Sequence, residues 1–459
     1  MTDQLKKISN QQQVGVQLDL IAKKRKEMSG TERVQLLQRR LYLKAKQEKS
    51  FGFYILYDKI FLPYILEESW QRVKENKGIA GVDNVTIEMI EQGGVSEFLK
   101  ALSEELRQQT YHPSAVKRVM IGKPGGGERP LGIPTVKDRV VQTACMLVIE
   151  PIFEADFEEH SYGFRPKRSA KDAIAKVKEH LKSGKSLVYD ADLSKYFDTI
   201  PHDKLIIALK ERIKDQRMLK LIIRWLKAVV HHDGRNLGGK NKIGTPQGGV
   251  ISPLLSNLYL HLLDRIISKA TSLFSKLGVS IVRYADDFVL LGRTLPEQVL
   301  TSLKALLYRM DLNLNEEKSK QINAQQTPFN FLGFTIRYDK DLFDPSGRRR
   351  YWNIVPSDKS TIRIRSKLSD ALSHMGHYAP DKLVQELNAI IRGWLNYYDV
   401  KGVTYAAMAK RDLTRYLSVK LPRYFNRKSQ RKSRLYRTNA FALLVTRYGL
   451  IDPSRYTPR

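Results

Sequence analysis

The sequence predicts an α+β fold. Stretches with the 3.6-residue apolar period of amphipathic helices alternate with short apolar runs joined by Gly- and Pro-rich turns, and this alternation is typical of antiparallel hairpins set among helices. The chain has 459 residues, of which 42% are hydrophobic. That length exceeds one core of ordinary size, so we expect two or three domains.

The first part of the chain is predicted to be mainly helical, with one hairpin. Residues 1–28 are polar and basic, and a helix with a capping box begins after Ser29. The pattern is mostly helical over about residues 52–110, interrupted by the turn NKGIAGVDNV, and a helical pattern returns over residues 137–182. Between them, residues 115–135 place apolar runs on either side of the turn segment PGGGERP, which predicts a hairpin.

The rest of the chain alternates strands and helices. We expect, in order, a strand at 186–193, helices to about 229, a hairpin-like stretch at 230–244, a helix at 252–270, a hairpin at 280–292, a helix at 296–310, short strands around 329–355 and helices after Pro356.

Charge points to a polyanionic partner. The formal net charge is +31 and the pI is about 9.9, an excess that opposes compaction unless a polyanion offsets it. Nucleic acid is the expected partner, and the alternatives are a solubilising surface or attraction to an anionic membrane. We find no apolar stretch of spanning length and expect no membrane partner.

Cysteine usage predicts a reducing compartment. The single cysteine, Cys145, lies in an apolar run and excludes an internal disulfide or a zinc site built on cysteine pairs. The first residues lack a basic region followed by an apolar block, so no secretory signal is visible. We therefore expect a cytoplasmic protein.

Two apolar strand segments carry carboxylates. The segment SIVRYADDFVLLG, residues 280–292, predicts a hairpin whose tip holds Asp286 and Asp287 and no glycine, and a solvated acidic turn is the alternative. In SLVYDADLSKYFDTI, Asp190 and Asp192 share one strand face. Carboxylates that converge from two elements suit Mg²⁺, and paired ions suit phosphoryl transfer. In a basic chain, the expected reaction is nucleic-acid polymerisation.

Seven sequence blocks resemble those of one family. RYADDFVLL, DADLSKYFDTI and GTPQGGVISPLLSNLYLHLLD resemble the palm motifs of reverse transcriptases, the last in the style of group II intron-encoded proteins. IGKPGGGERPLGIPTVKDRVVQ and SYGFRPKRSAKDAI resemble that family's finger blocks. FNFLGF and IIRGWLNYY resemble its late reverse transcriptase block and its maturase, or X, domain. The blocks follow the family's order from about residue 55 to 400.

The resemblance implies a right-hand polymerase arrangement. Fingers and palm would occupy residues 55–345 and a helical thumb, the maturase or X domain, residues 346–402. A basic N-terminal extension, helical in part, would occupy residues 1–54. Residues 403–459 would form a basic, tyrosine-rich C-terminal segment that is a possible DNA-binding region. The chain has neither the cysteines nor the length for the HNH endonuclease found in many family members.

The resemblance also implies roles for particular residues. Asp192, Asp286 and Asp287 match the catalytic ligands of two Mg²⁺ ions. The nucleotide-binding positions are Lys123, Arg129, Phe197 and Gln247, and the nucleic-acid-binding positions are Arg139, Gln142, Arg165 and Arg392. The aromatic ring of Phe197 would exclude a ribose 2′-OH, although a core phenylalanine is the alternative. As isolated residues, Lys123 and Arg129 would be ordinary surface charges.

Further residues receive structural interpretations. Asp190 matches no ligand position and is interpreted as an electrostatic support. Lys318 is interpreted as a surface lysine rather than a proton donor. The aromatic cluster Trp394, Tyr397 and Tyr398 has helical spacing and is expected to pack within the thumb.

The expected function is RNA-directed DNA polymerisation coupled to an intron. The resemblance implies that the enzyme binds group II intron RNA, assists its splicing and copies it during retrohoming, with an RNA template, a DNA primer, target DNA and dNTPs as partners. The alternatives are a splicing-only maturase, a domesticated relative in DNA repair or phage defence, and an RNA-templated RNA polymerase.

Overall fold

The computed structural model describes residues 28–122, 127–232, 235–236, 241–246, 248–341, 344–346, 348–375, 378–427 and 435–458. The helices, numbered α1–α17 in chain order, span Gly30–Gln47, Tyr57–Ile60, Pro63–Glu75, Ile87–Gly93, Val95–Arg107, Val136–Glu154, Ala170–Lys182, Tyr196–Thr199, His202–Arg212, Gln216–Leu226, Ser252–Ser268, Leu273–Lys276, Glu297–Arg309, Asp358–His374, Pro380–Tyr398, Ala407–Arg427 and Ala440–Tyr448. The strands, β1–β11, span Val116–Gly122, Glu128–Ile133, Leu187–Ala191, Val230–His232, Arg235–Asn236, Ser280–Tyr284, Asp287–Gly292, Lys320–Asn323, Phe329–Phe331, Phe334–Lys340 and Arg350–Pro356.

A four-stranded antiparallel sheet with strand order β6-β7-β3-β8 forms the centre of the molecule. Its two faces enter different hydrophobic cores because successive strand residues point to opposite sides. Tyr189 and Phe288 pack into the large core shared with α1–α6 and α9–α13. Val188 and Val289 pack on the other side, against α7 and the strands β9–β11. The sheet therefore has little freedom to shift relative to either layer.

Two smaller sheets flank the central one. The hairpin β1–β2 extends into a sheet with order β2-β1-β4-β5, in which β4 runs parallel to β1. The second sheet, with order β11-β10-β9, connects the central sheet to the C-terminal helices. Together with the central sheet and its helices, they confirm the α+β prediction.

The C-terminal helices α14–α17 share a third core that includes Leu368, Leu387, Leu417 and Leu444. Tyrosines beyond residue 402 donate hydrogen bonds to the earlier helices of the same bundle. The hydroxyl of Tyr416 donates to the Arg365 carbonyl at 3.0 Å, that of Tyr424 to the Met375 carbonyl at 3.0 Å, and that of Tyr456 to Asn396 Oδ1 at 2.9 Å. The basic C-terminal segment therefore packs on the helices before it.

Local helix signals are confirmed, but one long helical stretch is not. Ser29 and Glu32 form the capping box of α1. The expectation of continuous helix over residues 137–182 is wrong, because α6 ends at Glu154 and α7 begins at Ala170. The segment between them lies along β6, where Tyr162 N–H donates to the Arg283 carbonyl at 2.8 Å. No helix in the described ranges is long and apolar enough to cross a membrane.

Candidate active site

Strand pairing in the central sheet brings the distant aspartates together. Ala191, the last residue of β3, pairs with Phe288, and Tyr284 pairs with Asp287 across the β6–β7 hairpin. Asp192 follows Ala191 directly, so it lies beside Asp287 although 94 residues separate it from Asp286. The alternation along β3 and β7 puts Asp192 and Asp287 on the same face of the sheet, where both line one cleft.

The hairpin tip adopts a backbone conformation that is unusual for its sequence. Ala285 and Asp286 form a two-residue turn between Tyr284 and Asp287, and Ala285 has a φ of 58°. A left-handed conformation costs an L-residue roughly 1–2 kcal/mol compared with its preferred regions. Strain of this kind persists where surrounding contacts impose it, and it is concentrated at functional sites.

The carboxylates interact as a like-charged cluster. Burial, followed by the negative charges of Asp286, Asp192 and Asp190, raises the pKa of Asp287 to about 7. Burial also raises the pKa of Asp286, while the positive charge of Arg129 opposes that rise. For Asp190, burial raises the pKa to about 6, and Lys320 opposes the shift. A cation placed among these groups would favour their charged forms.

The carboxylates of Asp192, Asp286 and Asp287 are ligands of the kind that Mg²⁺ prefers, although in this structure the three side chains do not converge on one ion position. Within the described ranges, no three His, Cys, Asp or Glu side chains are close enough together to hold a metal ion. The ammonium of Lys318 lies beside the site, with its Nζ 3.5 Å from Asp192 Oδ2. Carboxylate oxygens are the ligands that Mg²⁺ takes in proteins. Asp192, Asp286 and Asp287 are the residues that would hold it.

The structure describes two of the four predicted nucleotide-binding residues. Arg129 is exposed on β2, and its charge acts on Asp286. Phe197 is buried, with its ring 5.5 Å from that of Tyr196, and its carbonyl accepts a 2.7 Å hydrogen bond from Thr245 N–H. Lys123 and Gln247 lie outside the described residues.

Three of the four predicted nucleic-acid-binding residues are buried. Arg165 binds Glu154 through Nε and Nη2, and its Nη1 donates to the Ser161 carbonyl. Arg139 Nε donates to the Pro134 carbonyl at 3.0 Å, and Gln142 Oε1 accepts from a backbone N–H. Arg392 is exposed on α15. The contacts of the three buried residues stabilise the fold. Nucleic-acid binding by these four residues stays a prediction.

A cleft of about 920 Å³ separates the aspartates from the C-terminal helices. Lys359, Arg363 and Lys367 of α14, here called the basic wall, line the same cleft as Asp192 and Asp287. Their four-residue spacing places three cations on one helix face. Our sequence reasoning missed this stripe, although the i, i+4 spacing in KSTIRIRSK was a signal for it.

A second hairpin turn also borders the cleft. Leu332 and Gly333, between β9 and β10, have φ values of 48° and 80°, as in a type I′ turn. Tyr397 donates to the Leu332 carbonyl at 3.0 Å, and Ser360 Oγ donates to the Gly333 carbonyl at 2.9 Å. Tyr398 Oη donates to Ser360 Oγ at 2.7 Å. Trp394 and Tyr398 pack in the core of the C-terminal helices as predicted, whereas Tyr397 packs on the core beneath β9–β11.

Known proteins are similar to this chain over most of its length. Residues 121–336 match the model of the reverse transcriptase (RNA-dependent DNA polymerase) family, and residues 361–440 match that of the group II intron, maturase-specific domain. Protein YkfC of Escherichia coli strain K12 is 34% identical in an alignment of 360 residues that covers 71% of this chain and 93% of that protein.

Two further relatives are longer than this chain. Group II intron-encoded protein LtrA of Lactococcus lactis subsp. cremoris is 29% identical over 377 residues, and the uncharacterized 91 kDa protein in cob intron of Schizosaccharomyces pombe is 26% identical over 432 residues. The matches cover 68% and 77% of this chain but 62% and 52% of those proteins. The chain belongs to the family of group II intron-encoded reverse transcriptases with a maturase domain, whose polymerase domain is an RNA-directed DNA polymerase.

Proposed function

We propose that this chain copies RNA into DNA and that it binds a group II intron RNA, assists its splicing and copies it during retrohoming. One observation carries the polymerase part of this proposal. The β3–β7 register places Asp192 beside Asp287, and both line a cleft that Lys359, Arg363 and Lys367 also line. Carboxylates and cations that line one cleft suit a phosphodiester backbone whose charge the cations neutralise while the carboxylates act on its end.

A buried donor in the cleft lining supports a bound ligand with acceptor oxygens. Trp394 is 8% exposed and lines the cleft, and its indole Nε1 has no hydrogen-bond partner among the described residues. A buried donor without a partner costs free energy. A phosphate or sugar oxygen of the primer-template would satisfy it.

In the proposed reaction, the 3′-oxygen of the primer attacks the α-phosphorus of a dNTP and pyrophosphate leaves. Two Mg²⁺ ions, when bound, would activate that hydroxyl and offset the charge on the leaving group. Asp192, Asp286 and Asp287 would hold the ions. Arg129, with Lys123, would bind the triphosphate oxygens, and the cations of α14 would orient the template and primer.

We propose a division of labour along the chain. Residues 55–345 would supply the polymerase fingers and palm, residues 346–402 the thumb that binds intron RNA, and residues 403–459 a possible DNA-binding region. The basic segment at 403–459 shares the core of α14–α17, so it would move with the thumb and extend its basic surface. A cytoplasmic location suits the buried and unpaired Cys145.

Primer extension tests the polymerase proposal. The protein is given an RNA template, a DNA primer, dNTPs and Mg²⁺, and we expect extension that EDTA abolishes. A double variant, Asp286→Asn with Asp287→Asn, should lose extension but keep its affinity for intron RNA and its help in splicing. Glu316→Gln removes an exposed carboxylate paired with Lys304 and serves as the control. Absence of extension by the wild type would refute the proposal, and loss of splicing in the double variant would refute the separation of roles.

Nucleotide choice tests the role of Phe197. We expect the wild type to prefer dNTPs and the Phe197→Ala variant to accept rNTPs more readily, since the smaller side chain leaves room for a 2′-OH. Competing dNTP and rNTP extension on one template measures the ratio. An unchanged ratio would leave Phe197 as a core residue only, and a wild-type preference for rNTPs would indicate an RNA polymerase.

A further inference from the structure

The turn formed by Ala285 and Asp286, called the catalytic turn below, is held in place by a fully buried polar network. Arg283, in β6, lies two residues before Ala285, and its side chain is 0% exposed. Its Nε donates to Asp264 Oδ1 at 3.0 Å, while Nη1 donates to Asn257 Oδ1 at 2.9 Å and to the Ala285 carbonyl at 2.8 Å. The guanidinium therefore ties the backbone of the turn to helix α11.

Helix α11 supplies both partners from one face. Asn257 and Asp264 are seven residues apart, which is two helical turns, and both are buried. The partners satisfy the fork geometry of arginine, which lysine cannot reproduce. Because α11 belongs to the large core, it gives the guanidinium a fixed position.

The segment before α7 holds the turn from another side. Asn257 Nδ2 donates to the Gly163 carbonyl at 2.6 Å. A Cβ built on Gly163 would overlap the backbone nitrogen of Ala285 and would lie 2.9 Å from the carbonyl carbon of Tyr284. Only glycine permits this approach. The turn is therefore confined between Gly163 and the Arg283 guanidinium.

We propose that Arg283, Asn257 and Gly163 are positioning residues that hold Ala285 in its left-handed conformation and thereby set the position of Asp286 and Asp287. This inference rests on the proposed polymerase function. The cluster explains how alanine occupies a turn position with a φ of 58° that favours glycine. It also gives the buried Arg283–Asp264 pair a role in specifying a conformation, since buried ion pairs add little net stability.

The test compares two buried arginines by single-turnover primer extension. Arg283→Lys should lower the maximal extension rate by roughly 10- to 100-fold, with little change in dNTP KM or in RNA affinity. Arg212→Lys is the matched control, because Arg212 is also buried and binds Asp156 through two nitrogens, at 2.6 and 2.7 Å. Its other hydrogen bonds go to the carbonyls of Ala45, Glu48 and Phe51, outside the catalytic turn. The extension rate of this variant should stay near that of the wild type.

A rescue separates positioning from general destabilisation. In the Arg283→Lys background, Ala285→Gly should restore a several-fold part of the lost rate, because glycine adopts positive φ without cost. Gly163→Ala would displace the catalytic turn while keeping the Arg283–Asp264 ion pair, and it should also lower the extension rate. Gly93→Ala is its control, since a Cβ there meets nothing within 4 Å.

The outcomes distinguish this inference from the proposed function. An inactive wild type would refute the polymerase proposal. An active wild type with Arg283→Lys and Gly163→Ala both at full rate would refute the positioning role alone. If Arg283→Lys fails to fold, Gly163→Ala and Asn257→Ala decide, and full activity in both would overturn the inference. A lowered rate that Ala285→Gly leaves unchanged would assign Arg283 to stability only.

Discussion

Two hairpin turns border the same cleft, one through the adjoining Asp287 and the other through Leu332 and Gly333, and their residues with positive φ are stabilised in different ways. The Leu332–Gly333 turn has glycine at one of its two left-handed positions, and thumb side chains hold its carbonyls. The catalytic turn has Ala285 at its left-handed position, and Arg283 holds it from inside the palm. Each turn is therefore fixed by long-range contacts, but only the catalytic turn depends on a fully buried ion pair.

This difference suggests a division of tasks. Rigid support from α11 places the carboxylates with little freedom, as phosphoryl transfer requires of groups near the reacting atoms. The other turn is fastened to the thumb through the hydroxyls of Tyr397, Tyr398 and Ser360. We therefore expect its position to follow that of the thumb and, under the proposed function, to respond to a bound strand.

Substitutions at the two turns should differ most when only one of them removes a charge. Asp287→Asn is expected to lower the extension rate by about a hundredfold or more, as loss of a central electrostatic group does. Leu332→Ala, at the other turn, should change the rate less than tenfold, because Leu332 contributes no charge. Single-turnover kinetics measures both. Similar losses in the two variants would contradict the division of tasks.

Removal of the basic wall should weaken binding rather than chemistry. Replacing Lys359, Arg363 and Lys367 together by Gln is expected to make the slope of log affinity against log salt concentration less negative by about 2. Filter binding to a primer-template at several salt concentrations measures the slope. The control triple variant Lys74→Gln, Arg265→Gln and Lys304→Gln removes exposed charges outside the cleft lining. Equal slopes for both triple variants would show that α14 does not face the strand.

Gly333→Ala should destabilise the Leu332–Gly333 turn, which is hydrogen-bonded to the thumb. A Cβ there would lie 2.6 Å from Tyr398 Oη, and the φ of 80° is costly for alanine. We expect the free energy of unfolding to fall by about 1–2 kcal/mol or more. Gly393→Ala is the control on α15, because its Cβ meets nothing within 4 Å. Denaturant titration compares them, and an unchanged Gly333→Ala midpoint would show that the turn is not under this constraint.

Loss of one hydroxyl should have the smallest effect. Tyr398→Phe removes the 2.7 Å hydrogen bond to Ser360 Oγ and leaves the ring tilted against those of Phe334 and Trp394. A neutral hydrogen bond contributes about 1 kcal/mol, so we expect a loss of that size in the free energy of unfolding. Tyr416→Phe, which removes the bond to the Arg365 carbonyl within the thumb, is the control for primer-template affinity. Only Tyr398→Phe should weaken that affinity, and equal affinities would indicate that Tyr398 serves packing alone.

Much of the local structure was predictable because its causes are close in sequence. The capping box at Ser29, the apolar alternation of β3 and the paired strands around Asp286 and Asp287 are short-range patterns. The interruption between α6 and α7 was missed, since the segment 155–169 departs from helix to meet β6, and that partner lies more than 100 residues later in the chain.

Sequence alone determined the net charge, the order of the family's blocks, the aspartates that could act, and the periodicities that form helices and strands, because each depends on residue identity and near neighbours. Tertiary structure alone decided that Asp192 lies beside Asp287, that Arg139 and Arg165 are buried, and that Ala285 adopts a left-handed conformation above Arg283. These features depend on contacts between residues far apart in the chain, whose free energies exist only once the cores have packed.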